Sequence, residues 1–142
     1  MKTLALAAGD LVVGPTGHAT ISGSRKIRQE LALHLGETYG ADKYHPEMGS
    51  VLVEYIGEVI DDTTQMLVQA EVARVVQQYI GIQQREVLRD HLAARASRFD
   101  SSDVVTGIAD ISATVNFDTI RVSVTLTTAA NETIQVNRTI QP

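Results

Sequence analysis

Four carboxylates stand close together near the middle of the chain, Glu54, Glu58, Asp61 and Asp62. Two acids held across one bond, with pKa values pushed apart, are what glycoside hydrolysis requires. The spacing here argues for something plainer. Glu54 and Glu58 are one helical turn apart, as on a solvated face, while Asp61 and Asp62 stand where a helix opens and its dipole favours acids. The histidines His18, His34, His45 and His91 show no tight ligand spacing, and the chain has no cysteine, so no converging zinc ligands are indicated and no metal or other cofactor is expected. His34 lies beside an apolar stripe and His91 within one. Ser22, Ser24, Ser50, Ser101 and Ser102 occupy cap positions outside any G-x-S-x-G elbow, and "GPTGHAT" lacks the Gly-Lys-Ser/Thr of a phosphate loop. No catalytic residue is assigned, and the expectation is a protein that is not an enzyme.

Two features point outward instead. "SRKIR" sets Arg25, Lys26 and Arg28 in the first turns of a helix, where positive charge opposes the macrodipole. This is either a solvated face or a contact for an acidic partner. The last strand, "ETIQVNRTI", alternates apolar Ile134, Val136 and Ile140 with polar Thr133, Gln135, Asn137 and Thr139, and Arg138 intrudes on the apolar face. One charge is little protection for a sheet edge, so the strand is either covered by the protein's own hairpin or open to another chain's strand.

The elements that must carry these residues fit one domain, since 142 residues leave no room for a second catalytic unit. The core must be aliphatic, because hydrophobic residues make up 44% of the chain but aromatics only 4%. The formal charge of -5 argues against a nucleic-acid partner, and no apolar run is long enough to span a membrane. "MKTLALAAGD" reads as a strand of the mature protein, Asp10 ending the run too early for a signal sequence. Leu11 to Val13 and His18 to Ile21 flank "GPTG" as a hairpin. A helix capped by Ser22 or Ser24 follows, burying Ile27, Leu31 and Leu35 and ending at Gly36. Ser50 opens a short helix with Val51, Leu52, Tyr55 and Ile56. A longer helix begins at Asp61-Asp62 with Val68, Val72, Val75, Val76 and Tyr79 on its apolar face, breaks or bends at Gly81, and runs on through Val87, Leu88, His91 and Leu92 to about Arg98. From Val104 the period becomes 2: Ala109, Ile111, Ala113 and Val115, then Ile120, Val122, Val124 and Leu126, then the last strand, form an antiparallel meander. The expected fold is α+β, with an N-terminal β-hairpin (1–22), a helical core (23–99) and a C-terminal three-stranded antiparallel β-meander (103–142). Between the helices, "ETYGADKYHPEMGS" reads as a stiff connector, with sharp turns at Gly40 and Gly49, a fixed φ at Pro46, and Tyr39 and Tyr44 packed over helix ends.

The order of these elements, with Gly23, then Ile27-x-Gln29-x-Leu31, Leu35-Gly36-Glu37, and Pro46-x-x-Gly49-Ser50-x-Leu52, resembles the small baseplate wedge proteins of contractile phage tails, also called sheath initiators. The likeness extends over nearly the whole chain. It departs at the family's Glu-Pro-Arg, where this chain reads Ala96-Ser97-Arg98, so only Arg98 carries over, as a contact to a neighbouring wedge subunit. The resemblance implies a structural subunit in six copies around the tail tube, located in the virion baseplate after assembly in the host cytoplasm. Its partners would be the tail sheath protein, other baseplate wedge proteins and the tail tube. Residues Thr133 to Ile140 would extend a sheet of the sheath subunit and template sheath assembly, with Ile134, Val136 and Ile140 filling alternate pockets. The alternatives are a lysozyme-like glycoside hydrolase of the baseplate, a label some members carry, or the equivalent subunit of a type VI secretion or other phage-derived injection machine.

Overall fold

A computed structural model describes residues 1–142 and gives an α+β fold. The N-terminal segment makes three small antiparallel ladders. Strand β1 (Thr3–Leu4) pairs with β6 (Thr20–Ile21), β2 (Leu6–Ala7) with β3 (Asp10–Leu11), and β4 (Val13–Gly14) with β5 (Gly17–His18). They meet in a closed ring of backbone hydrogen bonds: Ala5 N–H donates to Ala19 C=O (2.8 Å), Ala19 N–H to Val12 C=O (2.8 Å), and Val12 N–H to Ala5 C=O (3.0 Å). Each junction residue gives one bond and takes one, so the branch point leaves none of these groups unpaired. The expected N-terminal hairpin is present as β4 and β5, while the single strand expected before it is corrected to two short ones, β1 and β2. Ala8 and Gly9 both adopt positive φ (52° and 86°), the geometry of a tight two-residue turn, and this folds the first strand back on itself. Only Val13–Gly14 and Gly17–His18 pair across the Pro15-Thr16 turn.

Helix α1 (Gly23–Gly36) buries Ile27, Leu31 and Leu35 completely, as the spacing predicts. Neither expected serine caps it. Ser22 stands at the N-cap without a side-chain bond, and the Gly23 N–H donates instead to Oδ1 of buried Asp103 at 2.6 Å. Sequence distance hides such a cap: the acid comes from 80 residues away. Ser50 donates to the Leu35 carbonyl at the other end of α1 and accepts from Leu52 N–H, opening a 3-10 helix over Leu52–Tyr55.

Helix α2 (Asp62–Leu92) starts on Asp61, whose carboxylate accepts from Thr64 N–H at 2.7 Å. It passes through Gly81 without a break. An internal glycine costs a helix about 1 kcal/mol, and the burial of Val75, Val76, Tyr79 and Gln83 around it outweighs that. The helix also stops earlier than expected, at Leu92. Ala94 takes a positive φ of 50°, and the Asp90 carboxylate holds the returning chain through the Arg98 N–H and guanidinium. The last turn faces solvent: Leu88, His91 and Leu92 are exposed rather than set in an apolar face.

Strands β7 (Val105–Val115), β8 (Ile120–Thr128) and β9 (Thr133–Ile140) form the antiparallel meander in that spatial order. One face packs on both helices through Ile120, Val122, Val124, Leu126, Ile134, Val136 and Ile140; the other is a solvated layer of threonine, serine, glutamine and asparagine. In β7 two register shifts, between Val105 and Gly107 and between Ile108 and Asp110, change the alternation. Each extra residue advances the phase by one, so Ile108 faces inward opposite Leu126 and Ala109, expected in the core, is exposed. No helix is long and apolar enough to cross a membrane.

Candidate partner-binding surface

The two edges of the sheet are treated differently. In β9, Ile134, Val136, Arg138 and Ile140 lie opposite Leu126, Val124, Val122 and Ile120. Alternation in an antiparallel ladder directs the backbone groups of Thr133, Gln135, Asn137 and Thr139 away from β8, and no strand of this chain pairs there. One of these groups is occupied: the Gln135 carbonyl accepts from Nε of Arg28 on α1 at 3.2 Å. The outer edge of β7 carries more such contacts. On α2, the Gln83 amide donates to Asp103 C=O (2.9 Å) and accepts from Val105 N–H (3.0 Å), taking the place of a strand partner, while Gln65 donates to the Ala113 carbonyl near the other end. Gln29 on α1 repeats the device in the N-terminal lobe, donating to Leu4 C=O and accepting from Leu6 N–H, both at 2.8 Å.

Several residues assigned to partner contacts are engaged elsewhere. Ile134, Val136 and Ile140 are 0%, 2% and 3% exposed and belong to this protein's own core, so they cannot fill pockets on a partner. Lys26 is buried, its ammonium 3.1 Å from Glu30 and over the Phe99 ring; it is not part of an exposed basic face. Arg98 turns back on α2, with Nε 2.9 Å from Asp90 and Nη2 3.1 Å from Glu86. The Arg98 guanidinium bonded to Asp90 holds that carboxyl below its ordinary pKa, and the same pairing raises Arg98. Arg25, Arg28 and Arg138 remain exposed with no carboxylate within 4.0 Å, as does Arg121, opposite Thr139 on β8. Arg138 reaches over Gly36 at the C-terminal end of α1, where the dipole favours a cation. The structure thus brings Arg25, Arg28, Arg138 and the outward groups of Thr133, Gln135 and Asn137 to one side of the molecule.

The connector is held by α2. Arg74 forks onto the Glu71 carboxylate (2.7 and 2.8 Å), donates to Gly49 C=O (2.9 Å) and lies over the Tyr39 ring, while Glu71 accepts from Val51 N–H. Burial alone would raise the Glu71 carboxyl, but these donors outweigh it and its pKa falls below the usual value. Tyr44, expected over a helix end, is 84% exposed. Below the connector a cavity of about 520 Å³ is lined in part by Lys26, Glu30, His34 and Tyr79. Its polar groups are largely spoken for, since Glu30 accepts from Lys26 and from Tyr79, and Tyr79 accepts from Gln83. His34 packs against Tyr79 with its Nδ1 unbonded, and burial lowers its pKa. Glu54, Glu58, Asp61 and Asp62 all lie on the surface, and no group of three or more His, Cys, Asp or Glu side chains could hold a metal ion.

The glutamine clamps escaped the sequence reading because an isolated Gln on a helix reads as solvated. Gln83 did carry a signal, standing four residues after Tyr79 on the apolar face. Comparison of the chain with protein-family models, with curated proteins and with solved structures finds no match.

Proposed function

We propose that this protein is a structural subunit of a contractile tail baseplate, joining the wedge to the tail sheath and templating sheath assembly by strand addition on the outer edge of β9. The observation that carries this reading is the asymmetry of the sheet. Along β7, Gln83 and Gln65 on α2 occupy Val105 N–H and the Ala113 carbonyl, and Gln83 also takes the Asp103 carbonyl just before the strand, whereas along β9 one side chain makes one such bond, Arg28 on Gln135. An edge so left is available for main-chain pairing. The resemblance to wedge proteins supplies the setting, and the motif positions have physical roles that support it: Ile27, Leu31, Leu35 and Leu52 are core residues, and Gln29 fastens the N-terminal lobe.

In this reading the register of the added strand is set by the backbone groups of Thr133, Gln135, Asn137 and Thr139, and by the polar outer face, because the isoleucines point the other way. A photoreactive residue at Gln135, in protein that still assembles tails, tests it. Cross-links to the first ring of sheath subunits are the expected result. Cross-links confined to this chain would overturn the strand-addition role.

A further inference from the structure

The β9 edge is guarded, and the guard is a cation. Arg28 donates to the Gln135 carbonyl, one of the groups that a new strand must bond, so the guanidinium stands in the path of a strand pairing along the full edge. No carboxylate of this chain lies within ion-pair reach to receive it. Arg28 also lines, together with Arg25, a cleft of about 620 Å³ between α1 and the N-terminal lobe, whose walls include Ala5, Leu6, Val12 and Ile21. Arg138, on the same strand and reaching over the C-terminal end of α1, adds unpaired positive charge on this side, and no acidic residue occurs from Thr133 to Pro142. At physiological salt, fields between exposed charges fade over about 8 Å, so an approaching strand meets this local cluster more strongly than the net charge of -5.

Resting on the strand-addition reading above, we propose that Arg28 is a latch on the sheet edge, released by a carboxylate on the incoming strand. An arginine–carboxylate pair is charge-assisted and can be bidentate, whereas an arginine–amide bond is neither on its acceptor side. The exchange therefore favours release when the partner is acidic. The carboxylate draws the guanidinium towards the cleft beside Arg25, and Gln135 C=O is freed for the new ladder. Before assembly the same contact discourages neutral strands, including a second copy's β9, from pairing at the edge.

The test uses the full chain and three nine-residue fluorescent peptides in which valine alternates with glutamate, glutamine or lysine. Dissociation constants are measured at low salt, and hydrogen exchange reports protection of the Asn137 and Thr139 amides. The glutamate peptide is expected to bind about five- to tenfold more tightly than the glutamine peptide, with the lysine peptide weakest. Arg28→Gln, at an exposed position, is expected to bind the glutamine peptide more tightly than the unsubstituted protein does, because the guard is gone, while Arg25 and Arg138 sustain part of the glutamate preference. If the three peptides protect the edge with equal affinity, strand addition stands and the latch is wrong. A glutamine-peptide affinity that Arg28→Gln leaves unchanged or lowers also overturns the latch. If none protects the β9 amides, the strand-addition reading fails and the latch with it.

Discussion

Gly49 shows how much a single position can decide. Its φ is +95°, and a Cβ there would lie 2.6 Å from the Thr38 carbonyl oxygen, which is backbone and cannot swing away. Gly57 has a comparable φ of +85° with nothing within 4 Å. The pair separates strain from collision. Gly57→Val is expected to cost about 1–3 kcal/mol, the strain of a left-handed residue, and Gly49→Val at least about 2 kcal/mol more, because the connector must move off Arg74 and Glu71. Chemical denaturation of the two variants measures the difference, and equal losses would show that the connector can shift freely. The sharp turn at Gly49 was legible in the sequence from its place before a cap serine. The clamp that makes it matter was not, since Glu71 and Arg74 are an ordinary surface-like pair until the connector is folded against them.

At the scale of elements, periodicity revealed what repeats and missed what interrupts. The α1 stripe of Ile27, Leu31 and Leu35 and the alternation of β8 stand as read, because one buried face fixes each pattern. The phase changes in β7 carry no local mark beyond Gly107, and so Ala109 and Ile108 were exchanged. The N-terminal junction was hidden for a different reason: its ring joins Ala5, Val12 and Ala19 through backbone alone, and backbone bonds leave no side-chain signature. Gln83 joins α2 to the start of β7 without an apolar pattern to announce it. Replacing it by leucine would leave Asp103 C=O and Val105 N–H unpaired in a buried site, at an expected cost of about 2–4 kcal/mol. Hydrogen exchange at Val105 would quicken ahead of that at Val124, which lies in the central strand; equal acceleration at the two sites would mean that Gln83 is not a local clamp.

For the whole molecule the arrangement is two helices beneath a three-stranded sheet, with one edge held at two points by glutamines of α2 and the other left with a cationic guard. Partner residues chosen from the sequence as a contiguous strand divide by face once folded. Ile134, Val136 and Ile140 hold the core, and Thr133, Gln135, Asn137 and Arg138, with Arg25 and Arg28 from a helix distant in sequence, make the surface. Alternation marks Ile134, Val136 and Ile140 as the covered face; what covers it is this protein's own helices and not a partner. If β9 receives a strand from another chain, cryo-electron microscopy of tails assembled with this protein will show it. The expected density is a strand of a sheath subunit about 4.8 Å from β9, bonded to the backbone of Gln135 and Asn137, with Arg28 moved off the Gln135 carbonyl. A β9 edge facing solvent in the assembled tail, with Arg28 still on Gln135, would contradict it.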